Sequence, residues 1–189
     1  MNRIRSGILV AVCIVVLGST AASQWYQGPS GGRGGSKFNF WESSGGNSAL
    51  SGVSILHDAD GTILCIQLNY QNGFNQKYGG RCGETGPRAG LVGQGFYGDW
   101  SRFGLGQGEY LIGISGSYDD QIKSLTFYTT KQNHSYGTGG CTDSFGYTAP
   151  TGHRIVALFG RAGDRIDAIG VMYAPIPGNP RVERVTPRP

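Results

Sequence analysis

Beyond residue 23 the sequence has no stretch with the three-to-four-residue apolar spacing of an amphipathic helix. It is also poor in charge: Asp, Glu, Lys and Arg make up 15% of the chain, and the net charge is +4. No cluster of lysines and arginines forms the footprint that nucleic acid requires, so nucleic acid is excluded as a partner. Metal spacing is missing as well. His57, His134 and His153 are scattered, and "DADGT" (58–62) has its glycine too early for a calcium loop and no closing glutamate. No metal or other cofactor is predicted, and no spacing around the cysteines and histidines marks a nucleophile. Long apolar runs are limited to one, "GILVAVCIVVLG" at 7–18. It falls short of the roughly 20 residues of a permanent membrane span.

That run has another meaning. Arg3 and Arg5 precede it and the small residues "STAAS" follow it, which is the tripartite pattern of a secretory signal peptide. The expected division is a signal peptide over 1–23, a mature domain over 24–174 and a tail over 175–189. The mature chain is expected to be secreted, without a membrane span. Its charge falls to +2, because Arg3 and Arg5 leave 14 basic residues against 12 acidic ones. Export makes Asn133-His134-Ser135 an N-glycosylation sequon. Three cysteines stay behind: Cys65, Cys82 and Cys141. Cys82 in "GGRCGE" and Cys141 in "GGCTDS" lie in glycine-rich loops, where approach is easy, whereas Cys65 lies inside the apolar run "TILCIQLNY". The expected pair is Cys82–Cys141, with an intermolecular bridge left open.

Glycine is abundant, 34 of 189 residues, against a usual share of about 7%. It has no three-residue period, which excludes collagen. Instead it separates short runs that alternate or are wholly apolar: "KFNFWES", "GVSILHD", "TILCIQLNY", "EYLIGIS", "QIKSLTFYT", "HRIVALF" and "RIDAIGVMYA". Short strands with glycine turns predict an all-β sandwich, barrel or prism. "HRIVALF" is apolar on both faces and should be covered on both. From Pro175 the chain carries five prolines without apolar alternation, which reads as a disordered extension.

Three segments have chemical potential. "GPSGGRGGSKFNF" (28–40) is either a flexible leader or a loop whose backbone lets a ligand approach closely. "GSYDDQ" (116–121) is a hairpin tip with Tyr118 and Asp119 at its end. "GRAGDRIDAIGV" (160–171) sets Asp164 in a turn and Asp167 at the head of a row with Ile169, Val171 and Tyr173. An ionised carboxylate only accepts hydrogen bonds, and sugar hydroxyls donate well. The backbone of Gly163–Ile166 can add N–H donors. A solvated turn acid beside a strand-capping acid fits the same residues equally well.

Together, "GPSGGRGG", "GEYLIGISGSYDDQIKSLTFYTTK" and "GHRIVALFGRAGDRIDAIGV" resemble the jacalin-related lectins over Gly28 to Tyr173, least between Gly73 and Gly106. The most specific element is the Gly-x-x-x-Asp signature, "GDRID", followed by "AIG". The resemblance implies a β-prism of three four-stranded Greek-key sheets with a carbohydrate site at one end. Carried over by position, Gly35, Asp164 and Arg165 would offer backbone N–H groups beside Gly163 and Ile166. Asp167 would accept from two adjacent hydroxyls, and Ser117, Tyr118 and Asp119 would form a third wall. Under this reading the first glycine run is a ligand loop. Galactose-binding members have aromatic residues in the signature loop and a cleaved chain. Here the loop holds Asp164, Arg165 and Ile166, and the chain runs on from Gln24, so mannose/glucose-type glycans are the implied partners. Secreted animal members of the zymogen-granule type pair mannose binding with sulfated polysaccharides. A basic rim of Arg33, Lys37, Arg161 and Arg165 would suit that second ligand, although solvated arginines are the plainer reading.

Charge-assisted bonds contribute about 1.5–3 kcal/mol each, so one hexose is expected to bind with about −4 to −6 kcal/mol. Avidity would come from homo-oligomers or clustered glycans. Two rivals stand beside this non-catalytic lectin. One is a glycoside hydrolase using Asp164 and Asp167, but a hydrolase sets its two acids across the scissile bond, and these share one loop. The other is a matrix protein that keeps the prism without the sugar site.

Overall fold

The computed structural model describes residues 25–40, 48–58, 61–79, 82 and 98–178. The expected signal peptide and most of the proline-rich tail lie outside these residues.

Among the described residues, twelve strands form three four-stranded antiparallel sheets. The first sheet contains β1 (Trp25–Gly31), β2 (Ser36–Asn39), β11 (His153–Ala162) and β12 (Ile166–Pro175), in the order β1-β12-β11-β2. It joins the two ends of the described chain. The second contains β3 (Leu50–Asp58), β4 (Ile63–Tyr70), β5 (Asn75–Tyr78) and β6 (Gly98–Gly104), ordered β5-β4-β3-β6. The third contains β7 (Leu111–Tyr118), β8 (Ile122–Thr129), β9 (Asn133–Gly137) and β10 (Asp143–Thr148), ordered β10-β7-β8-β9. The prism expected from the resemblance is the architecture observed.

Each sheet is centred on a hairpin of two consecutive apolar strands, and β4, β8 and β12 touch one another across the interior. Their inward side chains make one core. Ile63, Ile66 and Leu68 come from β4, Ile122, Leu125 and Phe127 from β8, and Ile169, Val171 and Tyr173 from β12. All are at most 1% exposed, and each such side chain contributes about 1.5–3 kcal/mol on burial. In β11 the register against β12 slips between Ile155 and Ala157. The extra residue, Val156, is buried, and its carbonyl accepts from the Tyr70 hydroxyl of the second sheet at 3.3 Å. The run Ile155–Leu158 is therefore buried throughout, as its two apolar faces require.

The cysteine pairing differs from the expectation. Cys65 is bonded to Cys82, with their Cα atoms 5.3 Å apart, and Cys141 is free. Two facts make this so. Cys65 points to the outer side of the second sheet, where it packs with Leu56, Leu64 and Trp100. Then Gly79, at φ +130° and pressed against the Leu64 carbonyl, follows β5 beside the strand that holds Cys65, three residues before Cys82. Cys141 belongs to another sheet's connection, between β9 and β10.

The domain also runs slightly past residue 174. Pro175 closes β12, and the Ile176 amide donates to the Gly152 carbonyl at 2.8 Å. Asn133 of the sequon is exposed at the start of β9, on the edge of its sheet. Among the described residues no helix is long and apolar enough to cross a membrane.

Candidate functional site

The fold brings three connections to one end of the prism: 32–35 between β1 and β2, 119–121 between β7 and β8, and 163–165 between β11 and β12. Because β1 and β2 flank the β11–β12 hairpin in a single sheet, the glycine run lies against the Gly163–Asp167 loop. The Gly32 amide donates to the Asp167 carbonyl at 2.8 Å. Gly34 lies so close that a Cβ there would sit 2.8 Å from Asp167 Oδ1. Gly35 adopts φ +57°, and a Cβ there would fall 2.4 Å from the Gly163 nitrogen. Gly35 needs glycine because the Ala162–Gly163 backbone lies against it, and Gly34 because the Asp167 carboxylate does.

Asp167 is the second residue of β12 and is only 6% exposed. Burial pushes its carboxyl above the usual carboxylate range, and neighbouring Asp164 adds to that; the Gly163 N–H and the Arg161 guanidinium pull the other way. Its Oδ2 is sealed from solvent and has no hydrogen-bond partner among the described residues. A Cβ on Gly163 would lie 3.5 Å from that oxygen and 3.4 Å from Gly35 Cα, so the acid and the glycine run share one small space. A buried acceptor left without a donor costs free energy and marks a place where a donor is wanted.

The other signature residues divide by role. Asp164 is exposed at the loop tip. Ile166 is wholly buried in the core, which leaves only its backbone for a ligand. The Gly163 amide is used inside the loop, donating to the Arg165 carbonyl at 2.9 Å. No hydrogen bond from the amides of Asp164 or Arg165 is found among the described residues. The Arg165 side chain turns away: it donates to Gln121 Oε1 at 3.0 Å and pairs with buried Asp58 at 3.4 Å. Arg161 is occupied too, with Nε and Nη2 each 2.7 Å from the carbonyls of Gly34 and Gly35. Of the four cations read as a basic rim, only Arg33 and Lys37 are exposed without a described partner.

The third wall is built by neighbours of the residues singled out from sequence. Ser117 lies back in β7, sharing a hydrogen bond with Ser124 at 2.8 Å, and Tyr118 packs against Phe145. The Asp119 carboxylate serves its own turn, accepting from the Gln121 amide at 2.9 Å and pairing with Lys123 at 3.6 Å. Contact with the glycine run falls to Asp120, whose carbonyl would lie 2.1 Å from a Cβ on Gly32, and contact with the signature loop falls to Gln121. Asp58, Asp120, Gln121 and Gly34 were not signalled by residue type. Asp58 was legible only as a turn acid, and the others act through backbone or through one amide.

The arrangement can accept hydroxyl protons at one buried carboxylate and donate from loop amides. Asp58, the carboxylate that the second sheet brings to Arg165, is paired with that cation. Among the described residues no cluster of His, Cys, Asp and Glu could hold a metal ion.

The comparisons with known proteins agree with the fold. The jacalin-like lectin domain matches residues 27–172. Human zymogen granule membrane protein 16 is 30% identical over 91% of this chain and 95% of its own length. A mannose/glucose-specific lectin from Parkia pendula is 32% identical over 79% of this chain and 32% of its own. The chain spans only 11 to 32% of the length of several plant relatives it matches. Among solved structures, wild-type Malaysian banana lectin superimposes with a TM-score of 0.62 at 26% identity, covering 82% of this chain and all of that one. The domain match covers most of the chain, and the chain belongs to the jacalin-like lectin family.

Proposed function

We propose that this chain is an exported lectin that holds mannose- or glucose-type glycans, without catalysis, between the Gly32–Gly35 run and the Gly163–Asp167 loop. The observation that carries the reading is the Asp167 carboxylate, buried beneath glycines with one oxygen lacking a donor among the described residues. A hexose supplies two adjacent hydroxyl protons, and the amides of Asp164 and Arg165 supply donors for its oxygens. For Oδ2 to take part, Gly35 and Gly163 must part enough to admit a hydroxyl, and neither has a side chain to resist. The printed specificity of the Parkia pendula lectin supports the choice of sugar. So does the absence of aromatic residues from the signature loop. A site this shallow, with one acid, gives millimolar to high-micromolar affinity for a monosaccharide, about −4 to −6 kcal/mol. Clustered glycans or homo-oligomers would raise it.

Calorimetric titration with methyl α-mannoside, methyl α-glucoside and methyl α-galactoside tests the reading. Binding of the first two, lost in Asp167→Ala while the circular dichroism spectrum is kept, is the expected result. Unchanged mannoside binding in that folded variant would sink it. Export is tested separately: a chain secreted from eukaryotic cells should begin near Gln24.

A further inference from the structure

One side chain ties the Gly163–Asp167 loop to both of the other sheets. Arg165 starts in the loop of the first sheet, and two of its guanidinium nitrogens reach different partners. Nη1 donates to Gln121 Oε1 of the third sheet at 3.0 Å. Nη2 stands 3.4 Å from Asp58 Oδ2 of the second sheet. Within the loop itself, among the described residues, one backbone–backbone hydrogen bond is found, from the Gly163 amide to the Arg165 carbonyl at 2.9 Å. The loop therefore has little of its own to define its shape.

Both anchors are held by their own turns. Asp58 closes the β3–β4 turn: its Oδ1 accepts from the Thr62 amide at 2.8 Å, and its own amide donates to the Thr62 carbonyl at 3.1 Å. Its carbonyl accepts from the Gly61 amide at 3.0 Å. Gln121 closes the β7–β8 turn, its amide donating to Asp119 Oδ1 at 2.9 Å and its carbonyl accepting from the Asp119 amide at 3.2 Å. The Asp58 side chain is 6% exposed and that of Arg165 is 25% exposed, so the pair is not a solvated surface contact. Among the described residues Arg165 is the one cation paired with Asp58. A buried carboxylate deprived of its cation is left uncompensated. A lysine has no planar fork and cannot hold two anchors on separate sheets.

We propose that Arg165 is a positioning residue for the cup, clamped by Asp58 and Gln121, and that Asp58 controls ligand affinity without touching the ligand. The inference rests on the sugar reading above, in which the amides of Asp164 and Arg165 supply donors to the hexose. The amide offered to the ligand and the guanidinium clamped by the other sheets belong to one residue, so loosening the clamp displaces the donor. The charge of Arg165 is directed at the second sheet, and the ligand meets only its backbone.

The test compares the full mature chain with Asp58→Asn, Arg165→Met, their double variant and Arg165→Lys, at a temperature where all are folded. Calorimetry with methyl α-mannoside reads the cup, and amide exchange of Gly163 in the sugar-free protein reads the loop. Asp58→Asn keeps an acceptor for the Thr62 amide and removes the charge that faces Arg165. Asp58→Asn and Arg165→Met should each bind mannoside about tenfold more weakly and exchange the Gly163 amide about tenfold faster, because loop opening is less opposed. The double variant should match Arg165→Met, since the charge pair is already lost there. Arg165→Lys should change both readouts in the same direction, and it carries the test if Arg165→Met does not fold. No mannoside binding by wild type would overturn the sugar reading, while Gly163 exchange would still decide the clamp. The proposal is overturned if Asp58→Asn binds like wild type, even with a lower melting temperature. It is also overturned if Gly163 exchange is unaltered in the single variants, or if their affinity losses add in the double variant.

Discussion

The guanidinium of Arg161 fixes the carbonyl of Gly35 at 2.7 Å, and a second N–H from the same group fixes Gly34 at the same distance. Two glycines in succession have no side-chain packing to define them, so a planar fork on the neighbouring strand does so. Arg161 is therefore a positioning residue for the cup. Lys at this position has no fork and a strongly hydrated head. Arg161→Lys should lower mannoside affinity about tenfold and leave the melting temperature within about 2 °C, since the residue is at the surface. Calorimetry beside thermal melts checks both; unaltered affinity would show that the loop holds its shape unaided.

Asp167 gives a pH dependence whose sign can be worked out. Burial holds its carboxyl above the ordinary value of 3.8 in the folded chain. The protonated form is thus favoured by folding, and its contribution to stability is complete below 3.8 and lost as pH rises through the folded value. The proposed sugar site needs the ionised form, so affinity should fall as pH drops through that same raised value. Asp167→Asn should not bind, yet it should melt roughly 1–3 °C higher than wild type at pH 7. That gain should vanish near pH 3. A variant less stable at pH 7 would mean that Gly163 and Arg161 already compensate the buried charge.

Which strands were legible follows from their place in the sheets. The central hairpins β3–β4, β7–β8 and β11–β12 bury apolar side chains in rows, so runs such as "TILCIQLNY" and "HRIVALF" announce them. Edge strands bury less. Of the six, only β2 was signalled, by "KFNF"; β5 ("NQKY") and β9 ("NHSYG") have no apolar run to announce them. β1 was hidden differently: "WYQGPSG" looks like part of a glycine-rich loop, and it is a strand because β12 offers it a partner. In the site, residues acting through side chains, such as Asp167, were visible. Residues acting through a carbonyl, such as Asp120, leave no trace in residue type.

The Cys65–Cys82 bridge yields a prediction opposite to the one sequence suggested. It closes a 17-residue separation, which corresponds to about 3 kcal/mol of stability on the chain-entropy account. Cys82→Ser should cost about that much and expose a thiol on Cys65 in the denatured chain. Cys141→Ser should change stability by less than about 0.5 kcal/mol. Denaturant melts with thiol labelling under unfolding conditions distinguish the two. A large loss from Cys141→Ser would reinstate the other pairing.

The β8–β9 turn should govern the acid sensitivity of the third sheet. Thr129 Oγ1 donates to Glu109 Oε1 at 2.6 Å and accepts from the amides of Lys131 and Gln132 at 3.1 and 3.0 Å. The Gly106 amide donates to the other Glu109 oxygen at 3.0 Å. These two bonds, the Thr129 one first, hold the Glu109 carboxyl below its ordinary value of 4.5. A carboxylate favoured by folding adds stability that is present above the unfolded value and is lost as pH falls through the folded one. Wild type should therefore lose stability on acidification below about 4.5, and Glu109→Gln should flatten that limb. Thr129→Val removes the stronger bond and leaves two turn amides without an acceptor, so it should cost about 1–3 kcal/mol at pH 7. It should also make the acid limb shallower, because the remaining Gly106 bond holds Glu109 less firmly. Urea melts of the three proteins between pH 7 and pH 3 measure both effects; a Thr129→Val limb as steep as wild type would assign the acid response to other carboxylates.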